Sequence, residues 1–144
     1  MKKKIGIAVI IILLIIQFFR IDKTNPSSDV ASDIFSNHVA SEEIRTIVKN
    51  ACYDCHSNET VYPWYSNIAP VSWWMKRHID NGREKLNFSL WGEASVEDQA
   101  HMIYESVEML EKNWMPILSY KLTHSEGRLS EEERNMVIDW LESL

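Results

Sequence analysis

The sequence predicts an all-α fold. Two observations carry it. Apolar residues recur at helical spacing in several segments that begin at serines able to cap a helix, and no segment alternates apolar with polar residues as a half-buried strand would. The chain divides into residues 1–21, an N-terminal signal anchor or transmembrane segment, residues 22–30, a linker, and residues 31–144, one domain of ordinary size.

The first element opens with the positively charged Met1 to Lys4, followed by an apolar run from Ile5 to Phe19 that only Gln17 interrupts. Fifteen residues is short against the ~20 that span a hydrocarbon core, so a cleaved signal peptide is the alternative to an anchor. No small-x-small cleavage site follows Phe19, while Arg20 and Lys23 can snorkel at the far end and the three lysines mark the cytoplasmic side. The expectation is an uncleaved anchor. Asp22 to Asp29 then has the Pro, Ser and Asn content of a linker.

Within the domain, Ser41 can cap a helix in which Ile44, Ile47, Val48 and Ala51 share a face and which carries the next residues, from Cys52, at its C-terminal end. A second helix follows Pro70, from Val71 to about Leu86, with Trp74, Met75 and His78 near one another and its end near Asn81-Gly82 or Asn87. Ser95 with Asp98 opens a third through Met102, Ile103, Val107, Met109 and Leu110 to about Asn113. Ser130 with Glu133 forms a better capping box for a last helix, whose apolar face is Met136, Val137, Trp140, Leu141 and Leu144. Between the first two helices, Val61 to Pro70 is too aromatic for a plain loop and carries two prolines that forbid a regular helix. It should lie against something apolar, either a ligand or the core.

Charge limits the partners. From Thr24 onward the chain has 10 Lys and Arg against 20 Asp and Glu, a net charge of −10. Such a surface argues against nucleic acid or anionic lipid as a partner and favours a basic protein surface or plain solubility.

Chemistry is concentrated in Cys52-Tyr53-Asp54-Cys55-His56, a CxxCH motif holding both cysteines of the chain. It reads as a covalent attachment site for one haem c: two thiols add to the vinyl groups, and the neighbouring imidazole is tethered within reach of the iron. A dithiol redox motif and half of a zinc site are the alternatives. The first lacks a thioredoxin-like βαβ setting, and the second lacks a further cysteine pair. Covalent haem is attached outside the cytoplasm, so the motif and the anchor together place the domain on the periplasmic side of a bacterial inner membrane, with secretion to the periplasm after cleavage as the alternative.

For the distal side of the iron, Met115 stands out because Trp114 precedes it at a helix end and Pro116 pins the backbone out of helical geometry. Met102, Met109 and Met136 fall on apolar helix faces and read as core. His78 and His124 are the alternative distal ligands. Trp64, Tyr65, Trp73 and Trp74 can line the porphyrin or fill the core. Arg83 can pair with a propionate, with Trp91, Tyr62, Tyr65 and Tyr120 as further donors.

With CxxCH early in the domain and a Met-Pro loop before a C-terminal helix, the chain resembles the class I c-type cytochromes. More specifically, His56-Ser-Asn-Glu-Thr60, Trp64 to Trp73, Gly82-Arg83, Leu86 to Trp91 and Met115-Pro116 resemble the bacterial haem-binding domain family. The resemblance implies a helical domain wrapped around a covalent haem, His56 as proximal ligand and Met115 as distal ligand. By analogy with class I cytochromes it implies a proline carbonyl behind the proximal imidazole, from Pro70 or, less well, Pro63. The function expected is one-electron transfer with a redox partner protein and no catalytic residues. A gas sensor or peroxidase-like domain with an open distal site is the alternative.

Overall fold

A computed structural model describes residues 2–144; Met1, the start of the charged segment, lies outside the described residues. The fold is all-helical, as the periodicity predicts. Eight α-helices are present among the described residues: α1 Lys2–Ile16, α2 Ile34–Asn37, α3 Glu42–Ala51, α4 Tyr53–His56, α5 Val71–Lys85, α6 Val96–Glu111, α7 Leu118–Thr123 and α8 Glu131–Glu142. Short 3₁₀ turns lie at Val30–Ser32, Trp64–Asn67, Phe88–Glu93 and Ser125–Gly127.

The cap residues act as their chemistry suggests. Ser41 Oγ accepts from Ile44 N at 3.2 Å, and the acidic Glu42 and Glu43 occupy the positive end of α3. Ser130 and Glu133 close a reciprocal capping box at α8. At α6 the box is only half built: Ser95 Oγ accepts from Asp98 N, but the Asp98 carboxylate takes the Ser95 hydroxyl at 2.7 Å and leaves the cap backbone alone.

The motif helix differs from its expectation. Helix α3 ends at Ala51, the backbone breaks at Cys52, and the next residues form the separate single turn α4, with Cys55 N and His56 N both bonded to Cys52 O. The break turns Tyr53 into the core, where it is 3 % exposed. A column of aromatic rings results: Trp140 on Phe35 at 5.4 Å, Phe35 on Tyr53 at 5.8 Å, Tyr53 on Phe88 at 5.4 Å. Each stacked pair contributes beyond its burial. Helix α8 packs on α3 and α6, and α5 packs on α4, so the motif stands between the two halves of the domain.

The N-terminal helix falls short of the expected span. Helix α1 has 15 residues and stops at Ile16; at its end the Gln17 side chain bonds the backbone of Ala69. Among the described residues no helix is long and apolar enough to cross a membrane. At ~1.5 Å per residue α1 is ~22 Å long, against ~30 Å of hydrocarbon.

Trp91 is read from the sequence as a donor to the haem, yet it is 1 % exposed and sits in the core with its Nε1 donating to His38 Nε2 at 3.0 Å. Trp91→Ala would therefore leave a large cavity and cost about 3–5 kcal/mol of stability; chemical denaturation of the haem-loaded protein measures it, and a loss under 1 kcal/mol would contradict the packing.

Candidate functional site

His56 is the last residue of α4, and its ring faces the end of α5. Nδ1 lies 3.1 Å from Gly82 O and 3.2 Å from Leu86 O. Both are carbonyl oxygens and can only accept, so Nδ1 carries the proton and Nε2 is left with a free lone pair. Burial lowers the pKa of His56 below the usual imidazole value, with the two carbonyl bonds opposing it in part, so the ring is neutral at neutral pH. A neutral imidazole with its tautomer fixed is a preorganised metal ligand.

The approach of α5 depends on Gly82. A Cβ there would stand 2.6 Å from Cys55 O and 3.3 Å from Cys55 Cβ. The absence of a side chain lets the two helices meet closely enough for the carbonyls to reach His56.

The thiols are equally particular. Burial pushes the Cys52 thiol up to about 12 and Cys55 up to about 11, the latter helped by Asp54 and opposed by Arg83. Both are protonated at neutral pH, which is the reverse of the lowered thiol that a dithiol redox motif needs. Among the described residues no group of three or more His, Cys, Asp or Glu side chains is placed to hold a metal ion, so the zinc alternative lacks donors.

Two cavities of about 290 and 210 Å³ meet at this point and share Cys52, His56, Lys85 and Met115. Together they fall in the ~300–1,000 Å³ range of cofactor sites. Val48, Phe88, Met102, Leu110, Trp140 and Leu141 line the first. Cys55, His78, Pro116 and Tyr120 belong to the second. Two thiols, a free imidazole nitrogen and a thioether on otherwise apolar walls make a donor set that suits an iron porphyrin. The residues present fit a haem.

The chain matches the model of a haem-binding domain over residues 11–143. The chain belongs to the haem-binding domain family. No curated protein and no solved structure matches it.

In this haem-binding domain Met115 is positioned by the end of α6. Asn113 adopts the left-handed conformation, φ 54°, which asparagine tolerates better than most residues. Trp114 N then bonds Met109 O at 2.9 Å and Asn113 N bonds Leu110 O at 2.9 Å, the paired bonds of a Schellman termination. The Asn113 side-chain oxygen accepts from Arg134 of α8 at 3.0 Å and from Lys121 of α7 at 3.1 Å. A loop tied to three helices thus presents Met115 to the cavities of His56.

The other candidates separate cleanly. His78 lines the second cavity with Nδ1 2.8 Å from Trp74 O, which leaves its Nε2 free. His124 lines neither cavity: Nε2 meets Tyr65 Oη at 3.3 Å, Nδ1 meets Thr123 Oγ1 at 3.0 Å, and the ring stacks on Tyr120 at 4.1 Å. It is a packing residue.

Several expected roles are corrected. Pro70 O accepts from Trp73 N and Trp74 N at the start of α5, and Pro63 O accepts from Ser66 N. Neither serves His56, because α5 passes the motif with its C-terminal end and supplies Gly82 O and Leu86 O instead. Arg83 is occupied elsewhere: Nε donates to Ser57 O at 2.7 Å and the guanidinium to Asn25 Oδ1 and Thr60 Oγ1, both at 2.8 Å. It fastens the segment after the motif, as do the Ser57 hydroxyl on Tyr53 O and Ser89 Oγ on Asn58 N. Lys85, one helical step on and exposed, is the basic side chain that lines both cavities. Nothing distinguishes it in sequence from any lysine in a last helical turn.

The aromatic segment also serves another purpose. Trp64 is exposed and Trp73 donates to Phe19 O at 2.8 Å, and neither lines the cavities around His56. Tyr65 bonds His124, Tyr62 is half-buried and lines neither cavity, and Tyr120 Oη donates to Asp54 Oδ2 at 2.9 Å. Trp140 is the tryptophan that reaches the first cavity; its place on the apolar face of α8 is legible in sequence, though its proximity to the motif is not.

Gly82→Ala tests the close approach. Alanine gains up to ~1 kcal/mol of helix propensity, but a 2.6 Å contact with a backbone carbonyl has no flexible side chain to yield. The clash should win, so the variant should bind less haem per chain and melt lower than the parent. Unchanged haem content and melting would contradict the geometry.

Proposed function

We propose that the chain is a membrane-anchored, mono-haem c-type cytochrome on the periplasmic side of a bacterial inner membrane, acting in one-electron transfer. One haem c is attached through Cys52 and Cys55, with His56 as proximal and Met115 as distal ligand. The observation that carries this reading is the His56 ring: Nδ1 is held by two carbonyls, and Nε2 is free in a cavity shared with Cys52 and Met115.

The haem, when bound, supplies an Fe(III)/Fe(II) couple. The chain's residues decide how that couple behaves. His56 is kept neutral and aligned by its carbonyl partners, and the Met115 thioether is a soft donor that favours Fe(II) and raises the potential. With His56 and Met115 both holding the iron, no position would remain for a substrate. The walls of Val48, Phe88, Leu110 and Trp140 exclude water, which favours the less charged state of the site. The acidic exterior would steer a brief encounter with a basic redox partner, and salt would weaken it.

For the anchor, α1 is exposed along its length and apolar from Ile5 to Ile16. Snorkelling of Lys2 to Lys4, interfacial Phe18 and Phe19, and modest local thinning can take up the difference between its length and that of the hydrocarbon core.

The test is the visible spectrum of the full chain made with the c-type maturation machinery. A low-spin ferric spectrum with the weak red band of methionine-ligated iron, lost in Met115→Ala, is the expected result. A low-spin spectrum without that band would move the distal role to His78, whose Nε2 is free beside the second cavity. A high-spin spectrum that changes when carbon monoxide meets the reduced protein would overturn the electron-carrier reading in favour of gas sensing or peroxide chemistry.

A further inference from the structure

Two stretches of this acidic chain contain no Asp or Glu: residues 60–79 and residues 112–125. The fold brings them together. Trp64, Val71 and Trp74 from the first and Ile117 and Leu122 from the second line an open apolar groove of about 470 Å³. Around it large side chains are left in water, Trp64 at 76 % and Leu122 at 68 % exposure. A basic redox partner would find no carboxylate in either stretch to pair with, so the groove is a poor match for that partner.

The N-terminal segment is fastened to the first of these stretches, at residues beside those that line the groove. The Gln17 amide brackets Ala69, donating to its carbonyl at 2.9 Å and accepting from its N–H at 3.0 Å. Trp73 Nε1 donates to Phe19 O at 2.8 Å, Lys23 to Asn67 Oδ1 at 2.7 Å, and Arg20 to Asn67 O. Phe18, 86 % exposed, stands beside these bonds. Five hydrogen bonds within seven residues leave the exit from α1 far less freedom than a linker would. The direction of α1 therefore sets the direction of this face.

We propose that the groove face, with Phe18, Phe19 and the exposed leucines of α7, rests in the lipid–water interface of the bilayer that α1 enters. The domain is then held face-down on the lipid and does not swing on a tether. The inference rests on the membrane-anchoring reading above and adds an orientation to it. Its chemistry is that of an interface: indole and phenyl rings settle at headgroup depth, while Arg77, and Arg20 and Lys23 on either side of the single carboxylate of Asp22, meet lipid phosphates. Because the groove shares Cys55, His78 and Tyr120 with the second haem cavity, the redox site is then held at a fixed height above the lipid.

The experiment uses the full, haem-loaded chain in nanodiscs of phosphatidylcholine and phosphatidylglycerol, with nitroxide labels at Trp64→Cys or Leu122→Cys and a control at the exposed Val96→Cys on α6. Collision with dissolved oxygen and with an aqueous nickel chelate reports the depth of each label. Labels at 64 and 122 should favour oxygen at least several-fold over nickel, and the label at 96 should show the reverse. If the chain resists an alkaline carbonate wash yet all three labels meet nickel equally, the orientation is wrong and the anchor stands. If the wash releases the chain, both fall.

Discussion

The site depends on one contact, the bifurcated donation from His56 Nδ1 to Gly82 O and Leu86 O. It uses the end of α5: Leu86 O lies beyond the helix, and Gly82 O, which accepts from Leu86 N, takes His56 on its second lone pair. It also requires a glycine, because the helix must come within 2.6 Å of where a Cβ would meet the motif backbone. From these two requirements follow the tautomer, the neutral ring and the free Nε2.

The rest of the domain holds that contact in place. Both variable residues of the CxxCH motif are used structurally: Tyr53 stacks into the aromatic column and bonds Asp33 through its hydroxyl, while the Asp54 carboxylate accepts from Val61 N and Tyr120 Oη. Arg83 locks the exit of the motif to α5. Opposite, the termination of α6 at Asn113 fixes Met115 through bonds from two other helices. Removing water from such a cavity is costly for any polar group left without a partner; most of the lining is aliphatic, aromatic or sulfur-bearing, with Lys85, Glu105, Ser106 and Asn81 as its polar members beside the histidines.

Much of this was legible in the sequence, and what was missed has a common cause. Ser41, Ser95 and Ser130 marked helix starts because a cap acts within three residues, and CxxCH and Met115-Pro116 are likewise local. Pro70, Arg83 and Trp64 were assigned roles that depend on which parts of the chain pass close to the motif, and local pattern carries no such information. Pro70 precedes α5, and the chain reaches His56 only twelve and sixteen residues later, with Gly82 O and Leu86 O at the other end. Arg83 points to the segment behind the motif, whereas Lys85, two residues on, lines the cavities. The shortness of the N-terminal apolar run was legible too. What could not be read was that Gln17, the one polar residue in it, bonds Ala69 of the domain.

Covalent attachment of a haem at Cys52 and Cys55, beside a preset His56, leaves a mark on the chain itself. Intact mass spectrometry of the chain, purified after expression with the c-type maturation machinery and extracted with acidified acetone, tests it most directly. The account predicts a chain heavier than the polypeptide by one haem, with the increment absent in the Cys52→Ala, Cys55→Ala double variant. A wild-type chain at its bare polypeptide mass, with the haem in the acetone phase, would contradict it.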